Sequence, residues 1–228
     1  MRENYLSNLM NEIKGIIFDM DGLMLDTERL FMQAYQQAAA ECGFAMTEAL
    51  YFRMLGHSEH ESHQILQEGL PKDAPFAQII TRAKQLYYDI IFGHGVDIQP
   101  GLVELLNFLD ETLMPRGVAT STHYEWACIK LKSVGLLHRF DHLTCGDQVE
   151  NGKPAPDIFL RTAAKMGVPP ENCVVLEDSL AGLQGARAAG MMPVLIPDLT
   201  TPCAEMKALA EVMLPSLTEF HACFRQAM

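Results

Sequence analysis

Two aspartates two positions apart, Asp19 and Asp21, close the apolar run GIIFDMDG at residues 15–22. Three further polar groups recur in comparable settings: Thr120 and Ser121 after GVA, Lys153 in the loop GKPAPD, and Glu177 and Asp178 after CVVL. Three carboxylates brought together repel one another and raise each other's pKa unless a cation neutralises them, so a divalent metal is implied. Oxygen donors with no paired His or Cys suit magnesium, which keeps several waters and takes its remaining ligand from a substrate phosphate. Lys153 adds a point positive charge, and Thr120, with Ser121 beside it, adds a hydroxyl donor near backbone N–H groups. Together they describe a site for a phosphoryl group.

For these residues to meet, each must stand at the end of a strand of one sheet. The run from Ile13 to Asp19 shows no polar alternation, as expected of a strand buried on both faces. Similar runs at Gly117–Ser121, Cys173–Leu176 and Met192–Ile196 predict three more strands. Helical segments lie between them, with Asp157 expected to cap DIFLRTAAKM before Gly167, and Ser179 to cap LAGLQGARAA before Gly190. Strands alternating with helices predict an α/β protein built on a doubly wound parallel sheet, which binds ligands beyond the carboxyl ends of its strands. The prolines of KPAPD stiffen the loop that aims Lys153.

The stretch from about Asp26 to Gly95 breaks this rhythm and reads as four consecutive helices. We expect a helical cap inserted at residues 25–95, with a core made of residues 1–24 and 96–228, and hinges at Gly22–Asp26 and Gly93–Gly101. The stripe Leu86, Ile90 and Ile91, with Tyr87 and Tyr88, is expected to form the cap's own core. His57, His60 and His63 spread over too much of a helix circumference to gather one ion and are expected on a solvated face, His57 having the better claim on substrate.

Composition sets limits. The chain has 228 residues, 49% hydrophobic and 20% charged, which is an ordinary globular mixture. Seventeen Lys and Arg against 29 Asp and Glu give a net charge of -12, which argues against nucleic-acid or membrane partners. A small anionic metabolite remains admissible, because a cation and one placed lysine reverse the potential locally. The first dozen residues hold no apolar core of signal-peptide length, so a cytoplasmic protein is expected, as a monomer or weak dimer. The six cysteines have no paired spacing and are expected to be buried free thiols.

The ordered set FDMDGLMLDTE, VATST, GKPAPDIF and VLEDSLAG covers nearly the whole chain. In these motifs the chain resembles the haloacid dehalogenase superfamily, in the branch that contains beta-phosphoglucomutase and pseudouridine 5'-phosphatase. The resemblance implies a phosphatase in which Asp19 attacks phosphorus and forms an aspartyl-phosphate, while Asp21 protonates the leaving oxygen and then activates water. It also implies magnesium held by the side chains of Asp19 and Asp178 and the backbone carbonyl of Asp21, with Glu177 ligating directly or through water. Thr120 and Lys153 would hold the phosphoryl oxygens.

Superfamily dehalogenases need no acid two residues after the nucleophile, so Asp21 points to phosphoryl transfer. A phosphomutase is the closest rival. Where beta-phosphoglucomutase grips a second phosphate with an arginine and a lysine, this chain pairs Glu59 and His123, which favours hydrolysis. A non-enzymatic phospho-accepting protein of the receiver type would place its acidic pair before the phosphorylated Asp; here Asp19 comes first. The small residues after Asp178 are expected to let their helix approach the sheet.

Overall fold

The computed structural model describes residues 10–55 and 59–228, the side chains of residues 59 and 60 excepted. The chain divides into two compact units, Met1–Leu25 with Ile98–Met228 and Asp26–Asp97.

The larger unit is built on six parallel strands, β1 (Gly15–Phe18), β2 (Arg116–Thr120), β3 (His142–Cys145), β4 (Cys173–Glu177), β5 (Met192–Leu195) and β6 (Val212–Met213). Their order in the sheet is β3-β2-β1-β4-β5-β6. Every residue of β1 and β4 is buried, because helices cover both faces; that is why these strands are continuous apolar runs. The chain builds outward from β1 to β3 and then returns to place β4 on β1's other side. The crevice at that reversal, beyond the carboxyl ends of β1 and β4, is where such sheets bind ligands.

The flanking helices are α5 (Leu102–Glu111), α6 (Tyr124–Ser133), α7 (Asp157–Met166), α8 (Leu180–Ala188), α9 (Ala204–Leu209) and α10 (Leu217–Ala227). One face of the sheet packs Ile17, Ala119 and Val175 against Ile158, Phe159 and Ala163 of α7 and Ala186 of α8. Ser179 caps α8 as expected, accepting from the Gly182 N–H at 3.1 Å. Helix α7 departs from expectation: its cap is Pro156, whose carbonyl accepts from Phe159 and Leu160 N–H, and Asp157 is the first helical residue. Asp157 thus acts as favourable negative charge at the helix N-terminus.

Two strands were not expected. β3 is an edge strand with a half-buried histidine, and β6 has only two residues, so neither carries an apolar run. β5 tolerates Pro193 because that residue's carbonyl accepts from Glu211 N–H, which turns the missing N–H toward the short edge strand. All six cysteines are free, but only Cys145 and Cys173 are buried; Cys203 is exposed and the others are half-buried, a correction to the expected burial. Burial pushes the Cys173 thiol up to about 11 and Cys145 to about 12, so both stay protonated packing groups.

The smaller unit contains α1 (Thr27–Glu41), α2 (Glu48–Met54), α3 (Glu59–Gly69) and α4 (Phe76–His94), with no strand among its described residues. Helix α1 packs along α4 and α2 along α3. Phe31 stacks edge-on against Tyr35 and Tyr87, and the Tyr51 hydroxyl donates to Glu28 at 2.8 Å. Leu86, Tyr87 and Ile91 are buried in this core, whereas Tyr88 and Ile90 are half-buried. His63 is half-buried; His57 and the His60 side chain lie outside the described residues. None of the helices described in either unit is long and apolar enough to cross a membrane.

Candidate active site

Asp19 follows the last residue of β1, and its N–H donates to the Leu176 carbonyl of β4 at 3.0 Å. The ladder therefore fixes its backbone between the two central strands. Glu177 ends β4 and Asp178 follows it. Asp19, Glu177 and Asp178 each present a carboxylate oxygen within 4.8 Å of the others, so the expected cluster forms at the sheet's reversal point.

Lys153 lies inside this cluster. Its ammonium bonds the Asp19 carboxylate and donates to Glu177 Oε1 at 2.6 Å, with only 5% of its side chain exposed. The Phe159 ring stands 5.1 Å from the same nitrogen, adding a cation–π contact that the sequence did not suggest. Burial disfavours the charged lysine, but the two carboxylates outweigh it and hold its pKa above the ordinary value. For Asp19, burial is the largest influence; Glu177 and Asp21 reinforce it, Lys153 opposes it, and the carboxyl is pushed up to about 7.

Glu177 is fully buried. Its Oε2 accepts from Asp178 N–H, Ser179 N–H and the Ser179 hydroxyl at 3.1, 3.0 and 2.8 Å, while Oε1 faces Lys153. These donors organise the turn that carries Asp178. Gly182, in the first turn of α8, is what allows this: a Cβ there would stand 1.8 Å from Glu177 Oε1. Gly22 makes a second close approach at φ +87°, where a Cβ would meet Asp178 Oδ2 at 2.2 Å. Gln99 fastens that turn by donating to the Gly22 carbonyl at 2.8 Å.

Asp21 is held apart from the three clustered carboxylates. Its Oδ1 accepts from Lys130 Nζ at 2.6 Å and its Oδ2 from the Thr122 hydroxyl at 2.7 Å. Neither partner was foreseen. A signal existed for Lys130, since Ala127, Lys130 and Leu131 form the buried stripe of α6 and a lysine on such a stripe calls for an anionic partner. Thr120 is buried at the end of β2, and its hydroxyl accepts from Thr122 N–H at 3.1 Å. Ser121 is exposed, its carbonyl close against Gly146. His123 is exposed at the cap of α6, and the Glu59 side chain lies outside the described residues.

The donor set fits a divalent cation. Asp19, Glu177 and Asp178 gather carboxylate oxygens around one buried lysine ammonium, an acidic oxygen-donor cluster of the kind that can hold a divalent cation. All the donors are oxygens, as magnesium prefers. Both Glu177 oxygens already accept from protein donors.

The sequence profile of the family described as haloacid dehalogenase-like hydrolase matches residues 16–196, most of the chain. The chain belongs to the haloacid dehalogenase-like hydrolases. A phosphorylated carbohydrates phosphatase of Thermotoga maritima is 37% identical over 182 residues, covering 78% of this chain and 82% of its own length. A Drosophila melanogaster protein provisionally named a pseudouridine-5'-phosphatase is 32% identical over 222 residues, 94% of each chain. Among solved structures, a Thermotoga maritima protein provisionally named a beta-phosphoglucomutase superposes with a TM-score of 0.81 at 30% identity, covering 95% of this chain and 100% of its own. The doubly wound parallel sheet is thus the fold of this hydrolase family.

Proposed function

We propose that the chain is a magnesium-dependent phosphatase that hydrolyses a small phosphorylated sugar or nucleotide through an aspartyl-phosphate on Asp19. The observation that carries this reading is the buried Lys153 ammonium shared by Asp19 and Glu177 beside Asp178, with Asp21 in a separate ion pair two residues away. The names of the relatives, phosphatases of phosphorylated carbohydrates and of a nucleotide, support the substrate class.

In this account an Asp19 oxygen attacks phosphorus and the bond from phosphorus to the ester oxygen breaks, with Asp21 delivering a proton to the departing oxygen. Asp21 then takes a proton from water as that water attacks phosphorus, freeing inorganic phosphate and restoring Asp19. Lys153, Thr120 and Ser121 hold phosphoryl oxygens, and Lys153 shields Asp19 from the incoming dianion. Magnesium bound by the Asp19 and Asp178 side chains and the Asp21 backbone carbonyl, with Glu177 behind them, would supply charge neutralisation for the phosphoryl group. We read the helical unit as a cap that selects the leaving group, and the setting as cytoplasmic.

The test is phosphate release from a panel of sugar and nucleotide phosphates, with magnesium and after chelation, by the native chain and by Asp19→Asn. Release that needs the metal and disappears in the variant is expected; release that survives Asp19→Asn would sink the mechanism. With beta-glucose 1-phosphate the products should be glucose and phosphate, or nothing. Accumulating glucose 6-phosphate would assign a mutase instead.

A further inference from the structure

Lys130 is 6% exposed and sits on the face of α6 that packs into the larger unit, a place where an apolar side chain would ordinarily stand. Its ammonium meets Asp21 Oδ1 at 2.6 Å and lies 3.5 Å from the Thr122 hydroxyl, which itself donates to Asp21 Oδ2 at 2.7 Å. Both oxygens of the Asp21 carboxylate are therefore fixed, and both by the segment that follows β2. Asp21 has an isolated bridge to Leu25 as its own local support, and its residues on either side, Met20 and Gly22, bond within the same turn. That turn sets the backbone; the direction of the carboxylate is set by Lys130 and Thr122.

We infer that Lys130 is a positioning residue for Asp21, with Thr122 as its second point of attachment. Held at two oxygens, the Asp21 carboxylate keeps one orientation in the resting chain, and the ammonium's second neighbour, Thr122 Oγ1, gives Lys130 a place to rest when Asp21 takes up a proton and presents it to the leaving group. The bond this serves is the one between phosphorus and the ester oxygen: Asp21 first takes a proton from water, and as that bond breaks the proton passes to the ester oxygen. An ester whose leaving group is a stable anion departs without the proton; an alkyl ester does not. The inference rests on the phosphatase reading.

The difference between ester classes provides the test. Steady-state kcat/KM is measured for the native chain, Lys130→Met, Lys130→Arg and Thr122→Val, on 4-nitrophenyl phosphate and on whichever alkyl phosphate the native chain hydrolyses best. Lys130→Met is expected to lose about 100-fold on the alkyl ester and under about tenfold on the nitrophenyl ester, the span of one general acid. Lys130→Arg should recover most of the alkyl activity. Thr122→Val, which keeps the buried cation, should show the same selective loss to a smaller degree and serves if Lys130→Met does not fold. Equal losses on both esters, or none, would overturn the positioning role while leaving the phosphatase reading intact. A native chain that hydrolyses neither ester fails the phosphatase reading itself.

Discussion

Gly182 and Glu177 are packed so closely that α8 could carry no side chain at that position without displacing the Glu177 carboxylate: a Cβ on Gly182 would lie 1.8 Å from Oε1 and 2.3 Å from Oε2. The glycine therefore makes space for a carboxylate that three donors of its own turn and Lys153 hold in place.

Gly182→Ala tests that relationship. Alanine favours a helix by about 1 kcal/mol over glycine, but the Glu177 head must move and give up charge-assisted bonds worth about 1.5 to 3 kcal/mol each. We predict a net loss of about 2 kcal/mol in urea unfolding and more than about tenfold in phosphate release. A variant more stable than the native chain and equally active would show that the close approach is incidental.

Lys153→Met removes the one ammonium shared by Asp19 and Glu177. Two buried carboxylates are left facing each other, a loss of about 3 to 5 kcal/mol for a broken buried pair. The loss should be greatest at alkaline pH and shrink in acid, because a protonated carboxyl needs no counter-charge. Added magnesium should restore part of the stability without restoring activity. Unfolding curves at several pH values measure this; a loss that did not change with pH would mean that the lysine acts mainly by packing.

Ser179→Ala removes both the cap of α8 and one Glu177 donor. The expected cost is about 1 to 2 kcal/mol. Activity should fall less than for Gly182→Ala, since Glu177 keeps the Asp178 and Ser179 N–H bonds. Thermal unfolding and phosphate release, measured together, rank the two variants; the reverse order would contradict this reading.

Burial gives Asp19 a pH signature. Its carboxyl is pushed from 3.8 to about 7, so between those values the folded metal-free chain binds a proton that the unfolded chain releases. Metal-free stability should therefore decline as pH rises through that window and level off above about 7. Magnesium must displace the same proton, so its affinity should rise over the window and then flatten. Calorimetric titration in buffers of different ionisation heat should find nearly one proton released per ion about one unit below that value and almost none about one unit above it. Affinity independent of pH across the window would mean that Asp19 is not a ligand.

Much of the architecture was legible because it follows from burial. β1, β2, β4 and β5 are strands with apolar runs, and the four helices of residues 26–97 carry their own amphipathic stripes. β3 and β6 were not legible, since an edge strand with a half-buried His142 and a two-residue strand bury too little to leave a pattern. The meeting of Asp19, Glu177 and Asp178 could be anticipated from acidic groups at strand ends. The Lys130–Asp21 pair joins residues far apart in the chain: the buried stripe of α6 marks Lys130 as a lysine that calls for an anion, but no local spacing names Asp21 as that anion. Gly182 read as a small residue for helix–sheet packing; its particular task, clearing space for Glu177, depends on a rotamer that only the folded chain defines.

The central claim is a covalent intermediate on Asp19, and the stereochemical course at phosphorus tests it most directly. A thiophosphate ester made chiral by oxygen isotopes is hydrolysed by the native chain in isotopically labelled water, and the configuration of the released thiophosphate is determined. Two successive in-line displacements, first by Asp19 and then by water, give net retention, which is the predicted result. Inversion would mean that water attacks the ester directly and would contradict the account.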